Sequence, residues 1–184
     1  TGPLDKTTTF YVQSTFTEPG KKFSTGIKNH SGTVKTHSDN FSGKLFFDVN
    51  APVQLKSVKV YTDTAATREI IILNNQGQLT HTKLLRIEKG ESVINLNFNL
   101  LPGNGFAITT NDTTSFKIFG VRSPRLYRTE GTIPFPFIAG PIHIYGTNAD
   151  TKNYFYFYDW QLAYPDINST SEMIPVQEVI RTVA

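Results

Sequence analysis

One aromatic segment, residues 152–164, constrains the fold of this chain more than any other part of the sequence. Aromatic residues lose rotamer freedom in helices and pack well on pleated surfaces, so the segment predicts a β-strand. Side chains alternate between the two faces of a strand, which predicts one face made of Tyr154, Tyr156, Tyr158 and Trp160 and another made of Phe155, Phe157 and Asp159. One face is expected to lie in the core. The other is expected to pack against a second layer or to bind a ligand.

Short strand-like segments, separated by turn sequences, recur along the chain at spacings of about 8–12 residues. The clearest is 93–100, in which Ile94, Leu96, Phe98 and Leu100 alternate with Asn95, Asn97 and Asn99. Further strands are predicted at 7–13, 43–49, 53–61, 68–73, 79–87, 106–110, 116–119, 125–128 and 140–145, with a brief one at 33–36. No segment predicts a helix. The pattern favours an all-β fold, specifically an antiparallel β-sandwich of jelly-roll type.

The composition changes near the two ends of the chain, which predicts three regions. Residues 1–20 are expected to form a flanking strand or linker, and 21–165 a β-sandwich module. Residues 166–184 begin with a polar, linker-like stretch and are expected to end in a terminal strand. A chain of 184 residues is long enough for the central module to bury its own core.

Composition also excludes several classes of function. The chain has no cysteine, which rules out disulfides, thiolate metal sites and a cysteine nucleophile. Its 18 basic and 15 acidic residues are too balanced to predict a nucleic-acid partner. No apolar run approaches the roughly 18 residues of a membrane span, so no membrane insertion is predicted. Basic residues do cluster in 21–44 and 117–128, and these are either solvated loops or a face that meets an anionic partner.

The sequence does not predict an enzyme. None of the four histidines lies in a recognisable nucleophile, metal or phosphate-binding motif. A polysaccharide lyase or hydrolase of jelly-roll type is the alternative, in which Arg128, His143 and Tyr154 would act. No cofactor is predicted, although aspartates at strand ends and in loops leave room for a structural calcium ion, with ordinary turn capping as the other interpretation; these are Asp39, Asp48, Asp63, Asp112 and Asp150.

Tyrosines, one tryptophan and two arginines are concentrated in the last forty residues of the predicted module and give the best candidate site. Sugars present flat C–H faces that lie on aromatic rings, and their hydroxyls form hydrogen bonds with polar side chains. The predicted ligand is therefore a polysaccharide or other glycan. The alternative is that the rings on the aromatic strand belong to the core. The predicted ligand-binding residues are Arg125, Tyr127, Arg128, Tyr145, Tyr154, Tyr156 and Trp160.

Several segments, at 45–61, 68–77, 96–103, 126–128 and 156–160, resemble an accessory β-sandwich module. Such modules occur beside immunoglobulin-like domains in large secreted and cell-surface proteins of Bacteroidetes-type bacteria. The resemblance implies a secreted or cell-surface location and contacts with neighbouring domains of the same chain. The second hypothesis for the function is a structural or adhesive spacer that contacts protein partners instead of a glycan.

Overall fold

The structure, a computed structural model, describes residues 8–33 and 40–178. Its elements, in chain order, are β1 (Thr8–Val12), β2 (Thr15–Glu18), β3 (Lys22–Thr25), β4 (Leu45–Val49), β5 (Val53–Thr62), β6 (Ala66–Leu73), β7 (Leu79–Ile87), β8 (Gly90–Leu100), β9 (Gly103–Thr110), α1 (Asp112–Phe119), β10 (Arg128–Glu130), β11 (Phe137–Ala139), β12 (Ile142–Thr147), β13 (Asn153–Phe155), β14 (Tyr158–Ala163), β15 (Ile167–Thr170) and β16 (Ile174–Glu178). They form two compact units, one spanning Lys21–Pro165 and one built from both end segments.

The larger unit contains two main sheets. One has six strands in the order β11-β12-β4-β9-β6-β7, and the other has four in the order β3-β14-β5-β8. Their pairings are antiparallel, which confirms the predicted all-β sandwich. Strands β3 to β6 alternate between the four-stranded and six-stranded sheets. This alternation is compatible with the predicted jelly-roll topology, which stays a prediction.

The core lies between the two sheets because each sheet turns an apolar face inward. On β8, Ile94, Leu96, Phe98 and Leu100 are buried while Asn95, Asn97 and Asn99 are exposed, so the predicted alternation is confirmed. The ring of Phe47, on the six-stranded sheet, packs edge to face with Trp160 on the four-stranded sheet at a centroid distance of 5.2 Å. Burial of such aromatic and aliphatic surface is the main force that holds the two layers together.

Residues 112–119 form a helix, so the strand predicted at 116–119 is wrong, as is the expectation that no helix is present. Asn111 caps the helix, since its side-chain oxygen accepts hydrogen bonds from the backbone amides of Thr113 and Thr114. Gly120 ends it in the left-handed conformation, at φ 73°. Within the described ranges, no helix is long and apolar enough to span a membrane.

The aromatic segment is also not the single strand that its sequence predicts. It consists of β13 and β14, separated by a bend at Tyr156 and Phe157, and positive φ angles of 63° at Tyr156 and 45° at Asp159 interrupt the regular alternation. The five consecutive rings from Tyr154 to Tyr158 are all buried. From Tyr154 to Trp160 the segment therefore has no ring open to solvent.

The smaller unit consists of two antiparallel strand pairs. β1 pairs with β16, and β2 pairs with β15. In the first pair, Phe10 lies opposite Val176 and Val12 lies opposite Ile174, and all four side chains are exposed. These pairs bring the two end segments of the chain side by side. The brief strand predicted at 33–36 falls, from residue 34 on, outside the described residues.

Candidate ligand-binding site

Three of the predicted ligand-binding residues belong to the core. Tyr154, Tyr156 and Trp160 have no exposed surface, so their prediction as ligand contacts is corrected. Their polar atoms are used internally: Tyr154 Oη and Trp160 Nε1 both donate to the carbonyl oxygen of Phe157, at 3.0 and 2.8 Å. Tyr156 Oη accepts from the amide of Gly43 at 3.1 Å. Burial raises the pKa of Tyr154 and raises that of Tyr156 to about 12, so both hydroxyls stay protonated.

Tyr127 lies at the surface with two partners that the sequence analysis did not include. The ring of His30 is 5.5 Å from that of Tyr127 and 5.6 Å from that of Tyr61, and all three side chains are half-buried. Beneath them lies the buried ring of Tyr158, 5.4 Å from Tyr61 and perpendicular to it. We refer to His30, Tyr61 and Tyr127, with Tyr158 as their floor, as the aromatic patch.

The backbone fixes the spacing of the two surface tyrosines. The segment that carries Tyr127 runs along the end of β5, where Thr62 and Leu126 form an antiparallel bridge. The amide of Tyr127 donates to the carbonyl oxygen of Tyr61 at 2.9 Å, and Thr62 Oγ1 donates to the carbonyl oxygen of Arg125 at 2.7 Å. Tyr61 faces outward because Val60 and Thr62, its neighbours on the strand, are buried. Tyr61 and Tyr127 are thus held next to each other by main-chain hydrogen bonds.

Arg68, a buried arginine of β6, anchors the same segment from below. Its residue is only 1% exposed, and its Nε donates to the carbonyl oxygen of Pro124 at 2.7 Å. Its Nη2 donates to Thr62 Oγ1 at 2.7 Å, and its guanidinium lies 5.2 Å from the ring centroid of Phe119. Burial lowers its pKa to about 10, so the side chain stays charged at neutral pH. The segment leading to Tyr127 is therefore tied to the core.

His30 joins the loop before β4 to the floor of the patch. Its Nδ1 lies 3.4 Å from Tyr158 Oη and 3.3 Å from Thr129 Oγ1, and Thr129 Oγ1 also accepts from the amide of Ser31 at 3.2 Å. Its Nε2 is buried and has no hydrogen-bond partner among the described residues. Burial lowers the pKa of His30, so the ring is neutral at pH 7.

Paired polar side chains border the aromatic patch. Arg125 forms a two-point ion pair with Asp63, and its Nε–Oδ1 distance is 3.2 Å. Lys59 Nζ lies 3.3 Å from Glu91 Oε1 and donates to Asn29 Oδ1 at 2.7 Å. Asn29 Oδ1 also accepts from Tyr61 Oη at 3.4 Å. These five side chains form a polar border beside the rings, with Asn29 bonded to Tyr61 and the charges of Arg125 and Asp63 close enough to act on Tyr127.

The two remaining predicted residues, Arg128 and Tyr145, lie elsewhere. Arg128 forms an ion pair with Glu130 at 2.5 Å. Thr129, the next residue on the strand, points toward the patch, where it bonds to Tyr158. Because side chains alternate along a strand, the side chain of Arg128 points away from the patch. Tyr145 is 39% exposed on the outer face of the six-stranded sheet, where its ring stacks on Phe46 at 6.2 Å. The structure thus brings together Arg125 and Tyr127 but neither Arg128 nor Tyr145.

Of the aspartates suggested for calcium, Asp48, Asp63 and Asp150 have other partners, Asp112 begins helix α1, and Asp39 lies outside the described residues. Asp48 accepts from the amide of Gly105 at 2.8 Å and lies 3.5 Å from His143 Nδ1. Asp150 accepts from the amide of Lys152 at 3.0 Å. Over residues 8–33 and 40–178, no group of three or more acidic or histidine side chains is arranged to hold a metal ion. The three residues of the lyase alternative are engaged separately, with Arg128 on Glu130, His143 near Asp48 and Tyr154 in the core.

Comparisons with protein-family models, with curated proteins and with solved structures found no match for this chain. The likeness to an accessory module of bacterial surface proteins therefore stays a prediction from sequence segments. Any functional argument has to come from the aromatic patch and the residues around it.

Proposed function

We propose that this protein is a non-catalytic binding module whose ligand is a glycan, and that it belongs to an exported multidomain protein. The observation that carries the proposal is the aromatic patch, in which the half-buried rings of His30, Tyr61 and Tyr127 converge beside paired polar side chains. Flat rings that expose part of their surface suit the C–H faces of sugars, and the neighbouring polar groups suit the hydroxyls.

The rigidity of the patch supports binding as its role. The floor of the patch is a buried ring, and the segment with Tyr127 is held by backbone hydrogen bonds to β5 and by Arg68. Side chains that are already ordered lose little conformational entropy when a ligand arrives. The single patch suits modest affinity, which becomes useful when modules are tethered or repeated.

The experiment is a glycan array followed by affinity electrophoresis of the purified protein. We expect Tyr127→Ala and Tyr61→Ala each to weaken binding at least about fivefold, because each removes a stacking surface worth roughly 1 kcal/mol. The matched control is Tyr145→Ala, an exposed tyrosine outside the patch. Each variant should keep its melting temperature within a few degrees. The proposal fails if neither patch variant alters binding, or if only Tyr145→Ala does.

A structural or adhesive spacer is the second candidate, and one observation favours it. The pair β1–β16 exposes Phe10, Val12, Ile174 and Val176 on one face, and a two-stranded ribbon is only marginally stable in water by itself. Covering by another protein layer would stabilise it. The absence of any glycan ligand, together with increased thermal stability on addition of a protein partner, would favour the spacer.

A further inference from the structure

We infer that the aromatic patch selects uncharged glycans over acidic ones, an inference that rests on the proposed function. Within residues 8–33 and 40–178, Arg125 and Lys59 are the cations whose contacts place them at the border of the patch, and each is already paired with a carboxylate. The hydrogen bond to Asp63 raises the pKa of Arg125. Burial alone would lower the pKa of Lys59, but the hydrogen bond and charge of Glu91 contribute to a net rise.

The described charged side chains around the patch carry no excess of positive charge. Two cations face two carboxylates, and Asp159 adds a further negative charge near Lys59. A uronate or sulfate group is bound strongly where arginine or lysine side chains are unpaired. At this patch it would have to displace Asp63 or Glu91 from its partner and leave that carboxylate without its cation. Repulsion and the lost ion pair both act against an acidic ligand.

An uncharged sugar meets neither obstacle. A guanidinium has five N–H donors, and the pairing of Arg125 with Asp63 uses two of them. A carboxylate accepts about four hydrogen bonds, so Asp63 and Glu91 keep acceptor sites while paired. Hydroxyl groups donate and accept, so they use both kinds of site without breaking an ion pair. The C–H face of the sugar is left for Tyr61 and Tyr127.

The first test compares matched neutral and acidic polymers on the whole protein: dextran with dextran sulfate, and methyl-esterified pectin with polygalacturonate, each at low and at high salt. We expect binding to the neutral member of at least one pair, with affinity that changes less than about threefold between the two salt concentrations. Binding confined to the acidic members and lost at high salt would overturn the inference and leave the glycan proposal standing. Failure to bind any glycan, on these polymers and on the array, would overturn both.

The second test changes the charge balance itself. Asp63→Asn removes the partner of Arg125, and we expect it to raise affinity for the acidic polymers at least about threefold, in a salt-dependent manner. The matched control is Glu88→Gln, which removes the partner of Arg86 in an exposed ion pair at the end of β7. We expect no change in selectivity from the control. The inference is contradicted if Asp63→Asn keeps its melting temperature and binds the acidic polymers with the same affinity as the natural protein.

Discussion

Trp160 and Phe47 meet edge to face with ring centroids 5.2 Å apart, and this contact joins the two sheets of the sandwich. Trp160 also donates its Nε1 proton to the carbonyl oxygen of Phe157 at 2.8 Å. One side chain thus links the opposite layer to the bend between β13 and β14. This arrangement accounts for the complete burial of Trp160, which was predicted as a ligand contact with the core as the alternative.

The first prediction concerns this link. We expect Trp160→Phe to lower the free energy of unfolding by about 2–3 kcal/mol, because the smaller ring leaves a cavity and the carbonyl oxygen of Phe157 loses a donor. Denaturant unfolding measures the change. Tyr145→Phe serves as the control, since it alters an exposed ring, and we expect it to stay within about 0.5 kcal/mol of the natural protein. A loss of less than about 0.5 kcal/mol in Trp160→Phe would show that the link is not needed.

Sequence reasoning succeeded where one pattern controlled a whole element. Residues 94–100 alternate strictly between apolar side chains and asparagine, so a strand with one buried face follows directly. It failed at 112–119, where threonine, phenylalanine and isoleucine favour strands. The signals that decide this element are Asn111 at the start and Gly120 at the end, each of which satisfies backbone groups at one helix terminus.

The candidate site was only partly predictable for a similar reason. Alternation assigned an open face to the aromatic segment, but the positive φ angles at Tyr156 and Asp159 break the alternation, and no sequence pattern indicates them. Tyr127 and Arg125 were predicted because they belong to the cluster of tyrosines and arginines near the end of the module. Tyr61 had a detectable signal, since it alternates with Val60 and Thr62 at the end of β5, whereas His30 lies in a polar loop and had none.

The second prediction concerns a close approach of backbone to ring. A Cβ atom added at Gly43 would overlap the ring of Phe155, which is fully buried and has no room to move away. We expect Gly43→Ala to lower the free energy of unfolding by about 1–3 kcal/mol through overpacking. Gly146→Ala is the matched control, because a Cβ there meets nothing within 4 Å. Equal unfolding midpoints for the two variants would contradict the close contact.

The third prediction concerns Arg68, which we expect to control both stability and binding. In Arg68→Met the carbonyl oxygens of Pro124 and Ala66, which accept from Arg68 at 2.7 and 3.1 Å, lose their donor. The expected loss is about 3 kcal/mol in the free energy of unfolding, and glycan affinity should fall because the segment leading to Tyr127 is released. Chemical denaturation and affinity electrophoresis measure the two effects. Arg86→Met, which alters an exposed arginine, is the control and should change neither quantity appreciably.

The last prediction follows from the pKa of His30, which burial lowers below its ordinary value of 6.5. The unfolded chain then binds a proton at a pH where the folded protein does not, so folding stability rises with pH from the folded pKa to about 6.5 and is complete above it. The ring contacts of His30 are the neutral side chains of Tyr61, Tyr127 and Tyr158, which offer no counter-charge to a protonated ring.

We therefore expect the natural protein to lose stability relative to His30→Gln as the pH falls below about 6.5. Free energies of unfolding measured for both proteins between mildly acidic and neutral pH test this. The comparison removes the contribution of carboxylates, because these are the same in both chains. A difference between the two proteins that stays constant with pH would mean that His30 titrates equally in the folded and unfolded states, and that its partial burial in the patch does not change its pKa.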